Sequence, residues 1–128
     1  ASFYPSWDDA MWRRYTDMFS LDTRKTPEQL SEGMRVKLSL ALALSHGARL
    51  LILDEPTSGL DYDSMVRLSS LIRRLADMEK VIFVVTHDYE FVCRTCTRIL
   101  HLKDGTIHDD LPLTEENTSK TEEIFGVR

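Results

Sequence analysis

Apolar residues in the first part of the chain recur at three- and four-residue spacing, the period of a helix that buries one stripe. Trp7, Met11, Tyr15 and Met18 predict a helix over Ser6 to Phe19. "LDTRK" breaks the pattern. "TPEQ" then offers Thr26 as N-cap, Pro27 as first helical residue and Gln29 at the third position, the elements of a capping box. Ser31 opens a second helix that runs to about His46, and Gly47 stands where a terminating glycine belongs. Beyond Lys37 this helix is apolar around most of its circumference, which predicts burial on several sides.

From Gly47 onward, strand and helix alternate. Leu50 to Leu53 is an unbroken apolar run of the kind covered on both faces of a parallel sheet. Asp63 to Ala76 carries Met65, Leu68, Leu71, Ile72 and Leu75 on one helical stripe. Val81 to Val85, β-branched apart from one Phe, predicts a second buried strand. Asp88 can cap the short helix "YEFVCRT". "RILHL", the turn "KDG" and "TIHDD" predict a hairpin at a sheet edge. The polar, acidic tail from Pro112 holds one apolar patch, Ile124 and Phe125, and predicts a weakly held helix or disorder. The alternation implies an α/β parallel sheet with right-handed crossovers.

Composition adds limits. A chain of 128 residues suffices for one modest domain, and 42% hydrophobic with 29% charged residues describes an ordinary globular protein. A net charge of −5 argues against a general nucleic-acid surface, since phosphate backbones want clustered Lys and Arg. The apolar runs are too short to span a bilayer. Ala1 opens the chain, and "ASFYPSWDDA" lacks the pattern of a signal peptide, so the sequence reads as one begun within a larger protein. Cys93 and Cys96 form a C-x-x-C, the spacing of a redox pair or half a zinc site. No second C-x-x-C accompanies it, so two small thiols on one face of a short helix, packed on the core, is the favoured explanation, in a reducing, cytosolic setting.

The chemistry lies at strand ends. In such sheets ligands bind beyond the carboxyl ends of the strands. Asp54 and Glu55 end the first strand, and Thr86 and His87 follow the second. If the strands are neighbours, two carboxylates and an imidazole converge on one rim. Side chains alternate along a strand, so the two acids can hold different tasks: one positioning a hydrated Mg²⁺, the other orienting or deprotonating a water that attacks a phosphoryl group. Taken singly, each of these residues is as well explained by a solvated strand end or an ordinary histidine.

Taken in order, "LSEGM" (Leu30 to Met34), "LLILDEP", "SGLD" (Ser58 to Asp61) and "VTHD" resemble the motifs of ATP-binding cassette (ABC) ATPases: signature, Walker B with its following glutamate, D-loop and H-loop. The resemblance implies an incomplete P-loop NTPase-type α/β fold with flanking helices, preceded by part of the ABC helical subdomain. Residues 1–47 would be the helical portion with the signature helix, 48–111 the C-terminal part of the nucleotide-binding core, and 112–128 a polar tail. It further implies that Asp54 holds the Mg²⁺ shell, Glu55 is the catalytic carboxylate and His87 contacts the γ-phosphate. Ser31 and Gly33 would bind the γ-phosphate of an ATP held by a second domain, and Asp61 would line the dimer seam. "SFYPSWDD" through the signature resembles export-type ATPases. From Tyr62 the chain is closer to energy-coupling-factor uptake ATPases.

Two departures stand out. Glu32 and Met34 replace letters of the family's usual L-S-G-G-Q. No glycine among Gly33, Gly47, Gly59, Gly105 and Gly126 precedes a lysine, so the phosphate-cradling G-x-x-x-x-G-K-[ST] is absent. By resemblance its strand belongs between "VIFVV" and "RILHL", which leaves unpaired edges open to pairing with a second copy. Such a chain would be part of a transporter's ATP-hydrolysing subunit, inactive alone, cytoplasmic and peripheral to the inner membrane. Its partners would be the missing P-loop half, a second nucleotide-binding domain and a separate transmembrane subunit. A non-catalytic module that self-associates or lends its signature helix is the alternative, with a soluble ABC ATPase outside transport third.

Overall fold

The computed structural model describes residues 7–26 and 31–127; Pro27 and Gln29 of the expected capping box lie outside that range, as does Leu30. The chain forms two compact units, residues 1–86 and 87–128.

The first unit opens with α1, Asp9–Met18. It begins later than its periodicity suggests because Asp8 caps it, accepting from the backbone N–H groups of Ala10 (2.9 Å) and Met11 (3.2 Å). Trp7 lies outside the helix, its ring against Trp12 and edge-on to His46. α2, Glu32–Ser45, is capped by the Ser31 hydroxyl, which accepts from Met34 N–H at 3.2 Å. It stops where Gly47 adopts φ +82: Gly47 N–H reaches Leu44 O and Ala48 N–H reaches Ala43 O, a Schellman closure. Asp8 N–H donates to Ser45 O at 2.8 Å, tying the start of α1 to the end of α2. Tyr15, Phe19, Leu40, Ala41 and Leu44 form the core here. α2 is buried on one side only, with Leu42 exposed, because no element covers its other flank among the described residues.

β1, Leu50–Asp54, pairs in parallel with β2, Val81–Val85, in the register Leu50↔Val81 to Asp54↔Val85. The crossover is α3, Tyr62–Asp77, whose predicted stripe of Met65, Leu68, Leu71, Ile72 and Leu75 is buried. Burial of both faces of these strands was the expectation, and it is not met. Leu51 is buried on one face, but on the other Leu50, Ile52, Val81, Phe83 and Val85 are exposed, Ile52 to 68% and Phe83 to 48%. The sheet has two strands and α3 packs on one side of it, so the apolar residues of the opposite pleat meet solvent.

α3 ends in a second Schellman closure, with Glu79 rather than glycine in the left-handed region at φ +64. A side chain there carries a steric cost of roughly 1 kcal/mol. Glu79→Gly is therefore expected to raise stability by about that amount, read as a higher urea midpoint with unchanged slope.

The second unit holds α4 (Tyr89–Thr95), β3 (Arg98–Lys103), β4 (Thr106–Pro112), a 3₁₀ turn at Glu115–Asn117 and α5 (Thr118–Phe125). Asp88 caps α4 by accepting from Phe91 N–H at 3.0 Å. β3 and β4 form the expected hairpin, as a separate two-stranded sheet with an irregularity between His101 and Leu102. Asp104 (φ +51) and Gly105 (φ +79) make its turn, both left-handed as a type I′ connection requires. The tail is ordered into α5. Thr121 is buried, Phe125 packs on Tyr89 with ring centroids 5.4 Å apart, and Lys120 Nζ lies 3.6 Å from Asp109.

The two thiols do not share a packed face. Cys96 is the C-cap of α4, its N–H still donating to Val92 O at 2.9 Å, so the thiols lie about one turn apart but away from the core side of the helix. Phe91 and Val92 supply the buried face, Cys93 is exposed, and Cys96 is partly buried, which pushes its thiol above the usual range.

Candidate functional site at the end of the parallel strands

β1 delivers its two carboxylates to the end of the paired strands. Asp54, opposite Val85, is exposed and ends the ladder. Glu55 is half-buried, and its backbone N–H donates to Val85 O at 2.7 Å, carrying the pairing one residue past β1. Its φ is +46, and its carbonyl accepts from Ser58 N–H at 3.1 Å, so the chain leaves the sheet in a tight turn through buried Pro56. Few non-glycine residues hold this conformation, and those that do cluster where geometry is functionally constrained. Only the backbone reveals it; no spacing in the sequence marks it.

The turn continues through Gly59, at φ +79, to Asp61. The Asp61 carboxylate accepts from Ser64 N–H at 2.7 Å and caps α3. That backbone hydrogen bond holds its carboxyl below the ordinary aspartate range, so the cap persists above that range and is lost as pH falls through the lowered value.

Ser31 and Gly33 sit in the first turn of α2. They line a cleft of about 300 Å³ in the first unit, together with Ser20, Lys37, Ser64 and Arg67. Two cationic side chains and the dipole of a helix start make such a cleft compatible with an anion. Gly33 has little room for a side chain, since a Cβ there would lie 3.4 Å from Leu60 Cδ2. Lys37 and Arg67 carry no signal in the sequence that marks them for this cleft. Nothing in their spacing, on separate helices, joins them. His87 is exposed and opens the second unit, one residue before the cap of α4.

Among the described residues no group of three or more His, Cys, Asp or Glu side chains could hold a metal ion. A lone exposed carboxylate such as Asp54 still suits Mg²⁺, which takes one or two carboxylates and completes its shell with phosphate oxygens and water. No helix among the described residues is long and apolar enough to cross a membrane.

Residues 21–93 match the family described as "AAA domain, putative AbiEii toxin, Type IV TA system", and the chain belongs to this family of ATPase domains. Within it, the chain is part of an ABC nucleotide-binding domain. It is 40% identical over 99 residues to the SkfA peptide export ATP-binding protein SkfE of Bacillus subtilis, spanning 76% of this chain and 41% of SkfE. It is 34% identical over 108 residues to the macrolide export ATP-binding/permease protein MacB of Mannheimia succiniciproducens, spanning 80% of this chain and 17% of MacB. The ATP-binding cassette MJ0796, solved as a dimer in a post-hydrolysis state bound to ADP and Pi, superposes with a TM-score of 0.66 at 28% identity. That match covers 82% of this chain and 47% of MJ0796, so the chain spans less than half the length of each of these proteins.

Proposed function

We propose that the chain is one part of the ATP-hydrolysing subunit of an ABC transporter, coupling MgATP hydrolysis to transport only once the rest of the subunit is present. The observation that carries this reading is the succession of Asp54 and Glu55 at the open end of paired parallel strands, the second acid fixed in a left-handed turn. Asp54 would hold the Mg²⁺ shell; when bound, the ion neutralises phosphate charge. Glu55 would accept a proton from the attacking water and orient it. His87 would contact the γ-phosphate, and Asp61 would line the dimer seam. Ser31 and Gly33 would bind the γ-phosphate of an ATP held by a second domain. Lys37 and Arg67 in the same cleft favour an anionic occupant.

In this reading, residues 1–47 are helical subdomain, 48–111 nucleotide-binding core and 112–128 tail. The missing P-loop half is the partner of the bare β1–β2 face. The chain spans only 47% of the MJ0796 cassette, and an exposed apolar sheet face calls for a cover. A second nucleotide-binding domain and a transmembrane subunit complete the assembly, which would place the chain at the cytoplasmic side of the inner membrane. That MacB is an ATP-binding/permease protein favours the transmembrane partner. The same bare face favours a second reading, a non-catalytic module that self-associates.

Calorimetric titration of the chain with MgATP tests the proposal. No heat is expected at millimolar nucleotide, because no loop here cradles the phosphates. Saturable binding would overturn the half-site reading. A concentration-dependent dimer without any effect on a partner's ATPase would favour the second.

A further inference from the structure

Glu32 stands where the family's signature carries glycine, at the first residue of a helix whose start is proposed to face phosphate. A free carboxylate there would repel the ligand. The side chain is turned to another use. A Cβ built on Gly59 would lie 3.3 Å from Glu32 Cγ and 3.9 Å from Glu32 Cβ, so the aliphatic stem of Glu32 lies directly over the Gly59 backbone. One residue on, Gly33 faces Leu60 at similarly close range. Two consecutive residues of the α2 start thus contact two consecutive residues of the Ser58–Asp61 turn. The carboxylate itself reaches back to Arg35, with Oε1 3.5 Å from Nη1, an exposed pair that partly offsets its charge.

We propose that Glu32 is a positioning residue whose stem seats the Ser58–Asp61 turn against the start of α2. Gly59 is suited to this twice over: its φ of +79 favours glycine, and its bare Cα leaves room for the stem. The consequence rests on the function proposed above: the turn facing phosphate and the turn facing the dimer seam keep a fixed spacing. The glutamate is then a local replacement that adds an intramolecular contact which glycine at position 32 cannot make.

Amide hydrogen exchange on the chain itself, without nucleotide, tests this. The reporters are Ser58 N–H, bonded to Glu55 O, and Leu60 N–H, bonded to Thr57 O. Glu32→Ala removes the Cγ contact and keeps a good helix former, while Glu32→Gln keeps the stem and removes the charge. Loss of one methylene contact corresponds to about a fourfold change in the opening equilibrium. Exchange at Ser58 and Leu60 is therefore expected to accelerate about fourfold in Glu32→Ala, with Leu71 and Leu75 in α3 unchanged and Glu32→Gln equal to the parent chain. Unchanged exchange in Glu32→Ala would overturn the proposal. So would acceleration throughout the unit, or equal loss in Glu32→Gln, which would assign the effect to charge. Because nucleotide is absent, failure here leaves the ATP-site reading standing, and failure of the MgATP prediction leaves this contact standing.

Discussion

Glu55→Gln is expected to abolish turnover when this chain is combined with the P-loop half of the domain. The amide keeps the size of the side chain and its place in the turn but cannot take a proton from water. General-base removal of this kind typically costs about 10²–10⁴ in rate. Phosphate release under saturating MgATP is the measurement, with nucleotide affinity determined on the same sample. Affinity should be retained, because Glu55 is assigned to water and not to the nucleotide. Turnover that survives the substitution would remove Glu55 from the mechanism and leave its left-handed backbone a matter of the turn alone.

The second large effect is expected at the bare face of β1 and β2. Ile52 and Phe83 are paired across the sheet, the first largely and the second half exposed, so replacing both with Lys should lower the stability of the isolated chain only modestly. If the P-loop half covers this face, the same substitutions bury two unpaired charges in the joint domain. Each such charge costs several kcal/mol, enough to weaken association by more than a hundredfold. Co-purification of the two halves, followed by sedimentation, reads this directly. Undiminished association by the double variant would show that the missing half docks elsewhere, and the two-stranded sheet would need another cover.

These two sites differ in how far they can be read without coordinates. The acids at the end of "LLILDEP" are legible because a strand end is local: an apolar run, then charge, then proline. The caps are local too. Ser31 and Asp88 accept from N–H groups three residues on, as their residue types and positions suggest, whereas the Asp61 cap of α3 emerges only in the structure. The Asp104-Gly105 turn and the Gly47 stop follow from the same short range.

Burial is different. The continuous apolar runs of β1 and β2 argue for cover on both faces, and the structure leaves one of them in solvent. A run of Val, Ile and Leu records what the finished sheet needs, while the exposure of each residue depends on which strands and helices are present to pack on it. Cys93 fails for a related reason: C-x-x-C spacing places two thiols about one helical turn apart but does not say which side of α4 finds cover, and Phe91 and Val92 take the buried side. The left-handed Glu55 has no signal in residue type, since Glu has no preference for that region.

The sequence by itself determined the element order, the helix starts at Ser31 and Asp88, the stop at Gly47 and the hairpin turn, because each depends on contacts within a few positions along the chain. Only the tertiary structure decided that β1 and β2 are parallel neighbours in a single register. It alone left one face of that sheet bare and laid the stem of Glu32 on Gly59. Those outcomes join residues about thirty apart, and side-chain pattern does not encode which distant partner a surface will find.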